Sequence, residues 1–156
     1  MITLVNESDE VIGEGELKDV HRAGKLHRAI HILLQDQEGN IFCRQRAISK
    51  TLYPGWWSTS VGAHVESGES YEECARRMLQ DMLGIEAALR PLGKIRIHDE
   101  TENEICMVFS AISEEKLAYN LRHIEGGRFL SHDEVEALTK EKTTTPHLGE
   151  ALKLLR

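Results

Sequence analysis

The chain is organised around residues 60–85, which read SVGAHVESGESYEECARRMLQDMLGI. Its small residues and the Gly68-Glu69 turn predict a loop, and a helical pattern follows at once. The apolar residues of that pattern recur at intervals of three and four, at positions 71, 74, 75, 78, 79, 82 and 83. Ser67 or Ser70 can cap the helix, and Gly84 follows its last turn. A loop, helix and loop of this kind can hold a diphosphate and its metal ions.

Length and composition predict one globular domain without a nucleic-acid surface. The 156 residues suit a single hydrophobic core, and 40% hydrophobic with 29% charged residues is an ordinary balance. The formal net charge is -7. Nucleic-acid binding demands basic surface, so the charge argues against a nucleic-acid partner, although a small basic pocket for an anion stays compatible with it.

The cysteines and the first residues predict a cytoplasmic protein. The three cysteines, Cys43, Cys74 and Cys106, form no CxxC pair and no disulfide framework. The N-terminus is acidic and lacks the apolar segment of a signal peptide. No apolar run reaches the length that spans a membrane.

The remaining patterns predict an α/β fold in which helices sandwich a mixed sheet. Strands are predicted at 2–6 and 11–15 as an edge hairpin, at 26–35 as a central strand, and at 41–46, 56–65, 92–97, 104–111 and 127–130. A short helical insertion is predicted at 113–120. Ser131 is expected to cap a helix through Leu138, with Glu134 completing a capping box. A final helix is expected from Thr145-Pro146 to the chain end.

Residues 62–85 resemble the Nudix box, and Arg77, Leu79, Gly84 and Ile85 fit its pattern. The resemblance implies a single Nudix domain over residues 1–156. The family pattern has glycine where this chain has Ala63. It also has glutamates at three positions where this chain has Met78, Asp81 and Met82.

A second resemblance, over about residues 4–135, is to the isopentenyl-diphosphate isomerase branch of that superfamily. The resemblance rests on short sequence motifs: LVNE at 4–7, LHRA at 26–29, RAISK at 46–50, PGWW at 54–57, SVGAH at 60–64 and ENEIC at 102–106. The branch binds a divalent metal through three histidines and two glutamates, which implies the ligands His21, His27, His64, Glu102 and Glu104. His21 lies six residues before His27, one residue fewer than the spacing expected for that branch. Imidazole and carboxylate together suit zinc, manganese or iron(II).

The resemblance also implies diphosphate contacts at Arg46 and Lys50. A guanidinium fork and a point cation suit phosphate oxygens, although both could lie on a solvated loop. Trp56 and Trp57 could wall the pocket or belong to the core.

Two departures weaken the isomerase interpretation. The branch uses a cysteine as its acid–base group two residues before the loop histidine, and this chain has Gly62 there. The box glutamate that holds a second magnesium is replaced by Met82, and a thioether is a poor magnesium ligand.

We therefore expect metal-dependent hydrolysis of a diphosphate linkage in a small molecule, such as a nucleoside diphosphate derivative. Its candidate catalytic residues are Glu69, Asp81 and Glu104, with magnesium or manganese as cofactor and zinc possible at the His/Glu site. An isopentenyl-diphosphate isomerase-like enzyme and a catalytically silent diphosphate-binding module are the alternatives, and a homodimer is possible. Carboxylates at positions 78 and 82 are expected to raise magnesium-dependent hydrolysis, and to lower the melting temperature if the methionines are buried.

Overall fold

A computed structural model describes residues 1–155 of the chain. Within these residues the strands are β1 Ile2–Val5, β2 Val11–Gly15, β3 His27–Gln35, β4 Ile41–Arg46, β5 Trp57–Ser58, β6 Val61–His64, β7 Arg90–His98, β8 Asn103–Ile112 and β9 Ile124–Leu130. The helices are α1 Leu17–Ala23, α2 Tyr71–Leu83, α3 His132–Leu138 and α4 Pro146–Leu152.

Strand β3 is the centre of a mixed sheet. It pairs in parallel with β8, and antiparallel with β1, β4 and β6. The predicted hairpin of β1 and β2 lies at one edge, β7 extends the sheet beyond β8, and β4 also pairs with β5 and β9. The predicted α/β architecture, with a mixed sheet between helices, is confirmed.

Helix α2 begins and ends as its sequence predicts. Of the two candidate caps, Ser70 accepts the backbone N–H of Glu73, whose side chain completes a capping box. Gly84 ends the helix in the left-handed conformation, where glycine carries no steric penalty. The apolar stripe of α2, including Met78 and Met82, is buried.

The two faces of β3 enter different hydrophobic clusters because side chains alternate along a strand. Ile30 and Ile32 pack with the apolar stripe of α2. Ala29 and Leu33 pack with residues of α3 and α4 on the other side. His27 and His31 share the alternation of Ala29, which places them on the α4 side of the sheet.

Three local predictions differ from the structure. Helix α1 was not predicted, since its seven residues are too short for a clear apolar period and bury only Val20. Residues 113–120 form no helix, because the N–H groups of Ala118 and Asn120 bond to the last carbonyls of α2 instead. Helix α4 begins as predicted but ends at Leu152, and the chain-end residue 156 lies outside the described part. No helix in residues 1–155 has the length and apolar character to cross a membrane.

Candidate functional site

Three histidines and two glutamates converge at one end of β3. The imidazoles of His21, His27 and His64 surround one another, with ring centroids 5.1–5.2 Å apart. Glu102 Oε1 lies 2.5 Å from His21 Nε2, and Glu102 Oε2 lies 3.4 Å from His64 Nε2. Glu104 Oε2 lies 3.4 Å from His27 Nε2 and 3.7 Å from His64 Nε2. We call these five residues the His/Glu cluster.

Strand register explains this convergence. The parallel pairing of β3 with β8 places His27 opposite Glu104, and the antiparallel pairing of β3 with β6 places Ala29 opposite His64. His21 reaches the cluster from the short helix α1. Its turn ends at Gly24, whose carbonyl accepts a hydrogen bond from Asn103 of β8. Neighbouring strands and this one turn therefore bring together residues that lie up to 83 positions apart in the chain.

The polar atoms that face the centre of the cluster lack hydrogen-bond partners. The buried atoms His21 Nε2, His27 Nε2, Glu102 Oε1 and Glu104 Oε2 face one another at 2.5–3.7 Å without a hydrogen bond of good geometry. A buried polar atom without a partner is costly, so such atoms are rare in native proteins. Donor atoms from His21, His27, His64 and Glu102 all lie within 4.8 Å of one another. Nitrogen and oxygen donors at this spacing fit a divalent transition metal.

The tautomer of His27 also suits metal binding. Its Nδ1 donates a hydrogen bond of 2.9 Å to the carbonyl of Lys25, so Nε2 presents its lone pair to the cluster. Burial lowers the pKa of His27, but the close contact with the Glu104 carboxylate and its charge outweigh burial and raise that pKa above its ordinary value.

Glu104 connects the cluster to a second buried group. One of its oxygens faces His27, and the other contacts Nε2 of His147 from α4. Burial raises the pKa of Glu104, but the His147 and His27 contacts outweigh it and hold that pKa well below its usual range. Glu104 is therefore a carboxylate at neutral pH, suited to be a metal ligand.

A polar network continues behind His147. The ring of His31 stacks on His147 at 4.5 Å, and His31 Nδ1 donates to Thr59 Oγ1 at 2.6 Å. Burial and then the charge of His147 lower the pKa of His31 well below its ordinary value. The carbonyl of Thr59 accepts a hydrogen bond from Arg44 Nε, and Arg44 Nη2 has no partner.

Arg46 and Lys50 lie between this network and the surface. Arg46 donates to the Leu52 carbonyl through Nε and Nη2, at 3.0 and 2.8 Å. Lys50 Nζ donates to His123 Nδ1 at 2.6 Å, and His123 Nε2 lies 3.5 Å from the Asp81 carboxylate. Burial, followed by the charges of Arg46 and Arg44, lowers the pKa of Lys50 to about 8. Asp81 is thus linked through His123 to Lys50.

The other box residues lie elsewhere. Glu69 forms two hydrogen bonds with Arg77, at 2.6 and 2.9 Å, and accepts a third from the Glu66 backbone. Within residues 1–155 none of these bonds involves the His/Glu cluster. Met78 and Met82 are 6% and 1% exposed and belong to the core beneath α2. Both methionines therefore pack in the core, and α2 covers the face of β3 opposite to His27. Trp57 packs against the α4-side core, whereas Trp56 lies beside Tyr53.

Four residues near the site were missed in the sequence. His31 is four residues after His27 and Arg44 two before Arg46, so strand alternation places each on the face of its predicted partner. His123 and His147 carry no such signal, since one lies in a loop and the other in a helix far along the chain. Another group, His132, Asp133 and Glu136, is exposed on α3.

The fold and the site together define an α/β protein whose His/Glu cluster could hold a metal ion, with Arg44, Arg46 and Lys50 nearby. Comparison with known proteins agrees with the fold. The NUDIX domain family model matches residues 25–154. The chain belongs to the Nudix family.

Relatives include both hydrolases and isomerases by name. An uncharacterised Nudix hydrolase of Pseudomonas aeruginosa is 33% identical, with 100% of this chain and 91% of that protein covered. An isopentenyl-diphosphate Δ-isomerase of Photorhabdus laumondii is 30% identical, with 83% of this chain and 67% of that protein covered. The crystal structure of a Deinococcus radiodurans protein is 28% identical, with a TM-score of 0.84 and 97% and 96% of the two chains covered.

Proposed function

We propose that the protein hydrolyses a diphosphate linkage in a small molecule, with a divalent metal bound by the His/Glu cluster. The observation that carries this proposal is the set of unpaired, buried donor atoms on His21, His27, Glu102 and Glu104. In the described residues these atoms point at one another rather than at hydrogen-bond partners, which is the arrangement expected of ligands.

The cations beside the cluster provide the substrate site. Arg46 lies close enough to Glu102 and Glu104 for their charges to act on it, and its own charge acts on Lys50. The phosphates of a diphosphate are the anions that such cations bind. A bound divalent metal would offset the charge that develops on phosphate oxygens during hydrolysis. Glu104 stays ionised as a ligand, and the Asp81 carboxylate lies 3.5 Å from His123, which accepts a hydrogen bond from Lys50.

Isomerase activity is the second candidate, favoured by the named isomerases among the relatives. A Cβ atom on Gly62 would lie 2.6 Å from His31 Cε1 and 2.7 Å from Arg44 Nη2. The place of the acid–base cysteine is therefore filled by two other side chains. A diphosphate-binding module without catalysis is the third candidate, because Glu69 is held by Arg77 and the box methionines are buried.

A metal-supplemented substrate screen tests these candidates. Purified protein is assayed with nucleoside diphosphates, dinucleotides, sugar nucleotides and prenyl diphosphates, and both turnover and thermal shift are measured. Cleavage into phosphomonoesters, with inorganic phosphate as the second product of a nucleoside or prenyl diphosphate, supports hydrolysis. Interconversion of prenyl isomers supports the isomerase, and a shift of the melting temperature without turnover supports the silent module.

Metal content tests the cluster separately from activity. His64→Ala with Glu104→Gln should lose most of the bound metal in elemental analysis. The matched control, His132→Ala with Glu136→Gln, makes the same two changes in the exposed group on α3 and should keep the metal. Equal metal content in both double variants would rule out the cluster as the metal site.

A further inference from the structure

Asp81 and His123 form a polar chain that ends on Lys50. Lys50 Nζ donates to His123 Nδ1 at 2.6 Å, and His123 Nε2 lies 3.5 Å from the Asp81 carboxylate. An ammonium group has donors and no acceptor, so the Nδ1 atom that it contacts carries the lone pair. The ring proton of the neutral imidazole is then on Nε2, where it faces the carboxylate. Because hydrogen-bonded groups polarise one another, the carboxylate makes the imidazole a better acceptor for Lys50.

Backbone hydrogen bonds hold the segments of this chain together. The N–H of Asn120 donates to the carbonyl of Met82, in the last turn of α2, at 3.0 Å. The N–H of Ala47 donates to the carbonyl of His123 at 3.0 Å. Residues 120–123 are therefore bonded both to the end of α2 and to the loop that follows β4, so the three side chains meet in a fixed arrangement.

The Asp81 carboxylate and the His123 imidazole favour the charged form of Lys50. Burial and three neighbouring guanidinium groups lower the pKa of Lys50 to about 8, whereas the charge of Asp81 raises it. A hydrogen bond to the charged form of a group also favours that form, and the imidazole provides one. The ammonium form is the one that binds an anion, so both contacts support an anion site at Lys50.

The polar chain lies at the surface, where an anion can reach it. The His123 and Asp81 side chains are 26% and 44% exposed, and Lys50 is half-buried. An ammonium group has three N–H donors, so two remain for phosphate oxygens when one goes to the imidazole. No packed side chain has to move for a phosphate to approach Lys50 from solvent.

Asp81 is directed at this polar chain and not at the metal ligands. Within residues 1–155 its carboxylate accepts a hydrogen bond from Asn120 at 3.4 Å and faces His123, and it forms no ion pair with a member of the His/Glu cluster. The acid that α2 retains therefore lies where it acts on Lys50.

We propose that Asp81 and His123 are positioning residues of the diphosphate site: Asp81 orients His123, and His123 holds the Lys50 ammonium in place for the phosphate groups. This inference rests on the proposed function. It gives Asp81 a role in anion binding in place of magnesium binding.

The test measures binding of inorganic diphosphate to the manganese-loaded protein by calorimetric titration. His123→Leu should weaken binding about tenfold, because Lys50 loses the hydrogen bond that holds its charge in place. His123→Asn keeps an acceptor near the position of Nδ1 but has no group that reaches Asp81, and it should recover most of the affinity. In a Lys50→Met background, His123→Leu should have no further effect, because the group that it positions is absent.

Asp81→Asn tests the outer part of the chain. It should weaken diphosphate binding about threefold in the wild type, as expected for an exposed charge contact, and lose most of this effect in the His123→Asn background. Bound manganese, measured by elemental analysis, should stay at the wild-type level. Should His123→Leu fail to fold, the cycle of Asp81→Asn with Lys50→Met makes the same test, because Asp81→Asn should have no effect once Lys50 is absent.

His132→Leu with Asp133→Asn is the matched control, since it makes the same types of change in the exposed group on α3 and should leave diphosphate affinity unchanged. Unchanged affinity in a folded His123→Leu variant, or an equal effect of His123→Leu with and without Lys50, overturns this inference alone. Loss of manganese in Asp81→Asn also overturns it, because Asp81 would then be a metal ligand. Absence of any diphosphate binding by the wild type overturns it together with the proposed function.

Discussion

Nε2 of His147 contacts Oε1 of Glu104, while the other oxygen of the same carboxylate faces His27. The last helix of the chain is thereby connected to the His/Glu cluster. A hydrogen bond to one oxygen fixes the orientation of a carboxylate and so the direction of its remaining lone pairs. A carboxylate fixed in this way binds a metal ion better than one that rotates freely. The stack of His147 on His31 holds the imidazole in place from its other face.

Loss of the His147 donor should weaken metal binding without removing a ligand. His147→Phe keeps a flat ring against His31 but cannot donate to Glu104, so metal affinity should fall about 10–100-fold. His147→Gln retains a donor and should lie between that variant and the wild type. Affinity is measured by competition with a chelator. His132→Phe is the control, because His132 is exposed on α3. Equal metal affinity in the His147 and His132 variants would contradict the role of His147 in orienting Glu104.

The contacts of the Asp9 carboxylate predict that part of the protein's folding stability depends on pH. Arg28, Lys94 and Tyr71 all donate to its carboxylate, at 2.6–2.9 Å. Burial raises the pKa of Asp9, but these hydrogen bonds outweigh burial and hold that pKa below its ordinary value of 3.8. A depressed folded-state pKa means that the stabilisation is present above pH 3.8 and is lost as the pH falls through the folded pKa.

Asp9→Asn should therefore lower the free energy of unfolding by about 1–3 kcal/mol at pH 7, and by less at pH 3. Denaturant unfolding at both pH values provides the measurement. Asp133→Asn, at an exposed position on α3, is the control. A loss that is equal at both pH values would show that the ionised carboxylate is not the source of the effect.

The sequence predicted elements whose signals are local. The caps of α2 and α3, the apolar stripe of α2 and the central strand were all visible in the order of residues, because periodicity and capping depend on near neighbours. Contacts that depend on how distant segments pack were not visible. His147 reaches Glu104 only because α4 folds back over β3, and residues 113–120 lose their helix because α2 needs partners for its last carbonyls.

Acids at positions 78 and 82 were expected both to raise hydrolysis and to lower the melting temperature, and the burial of both methionines makes the loss of stability the larger effect. Met82 is 1% exposed in the core beneath the sheet, so a carboxylate there would be buried without a partner. Met82→Glu should cost about 3 kcal/mol or more of stability, whereas Met82→Leu should cost less than about 1.5 kcal/mol. The double variant Met78→Glu with Met82→Glu should then be too unstable to show increased magnesium-dependent hydrolysis. A stable double variant with increased turnover, measured by thermal melting and phosphate release, would contradict this packing argument.

Restoring a cysteine at position 62 should not restore isomerase chemistry. The Cβ of any new side chain would meet the buried ring of His31 at 2.6 Å and the guanidinium of Arg44 at 2.7 Å, and neither is free to move because both are hydrogen-bonded to Thr59. Gly62→Cys and Gly62→Ala should therefore both lower the melting temperature, by the equivalent of about 1–3 kcal/mol. Gly13→Ala is the matched control, because a Cβ there has nothing within 4 Å and the change should have little effect. A Gly62→Cys variant that melts like the wild type and interconverts prenyl diphosphate isomers would show that the site can open around position 62, and that Gly62 alone separates this chain from isomerase activity.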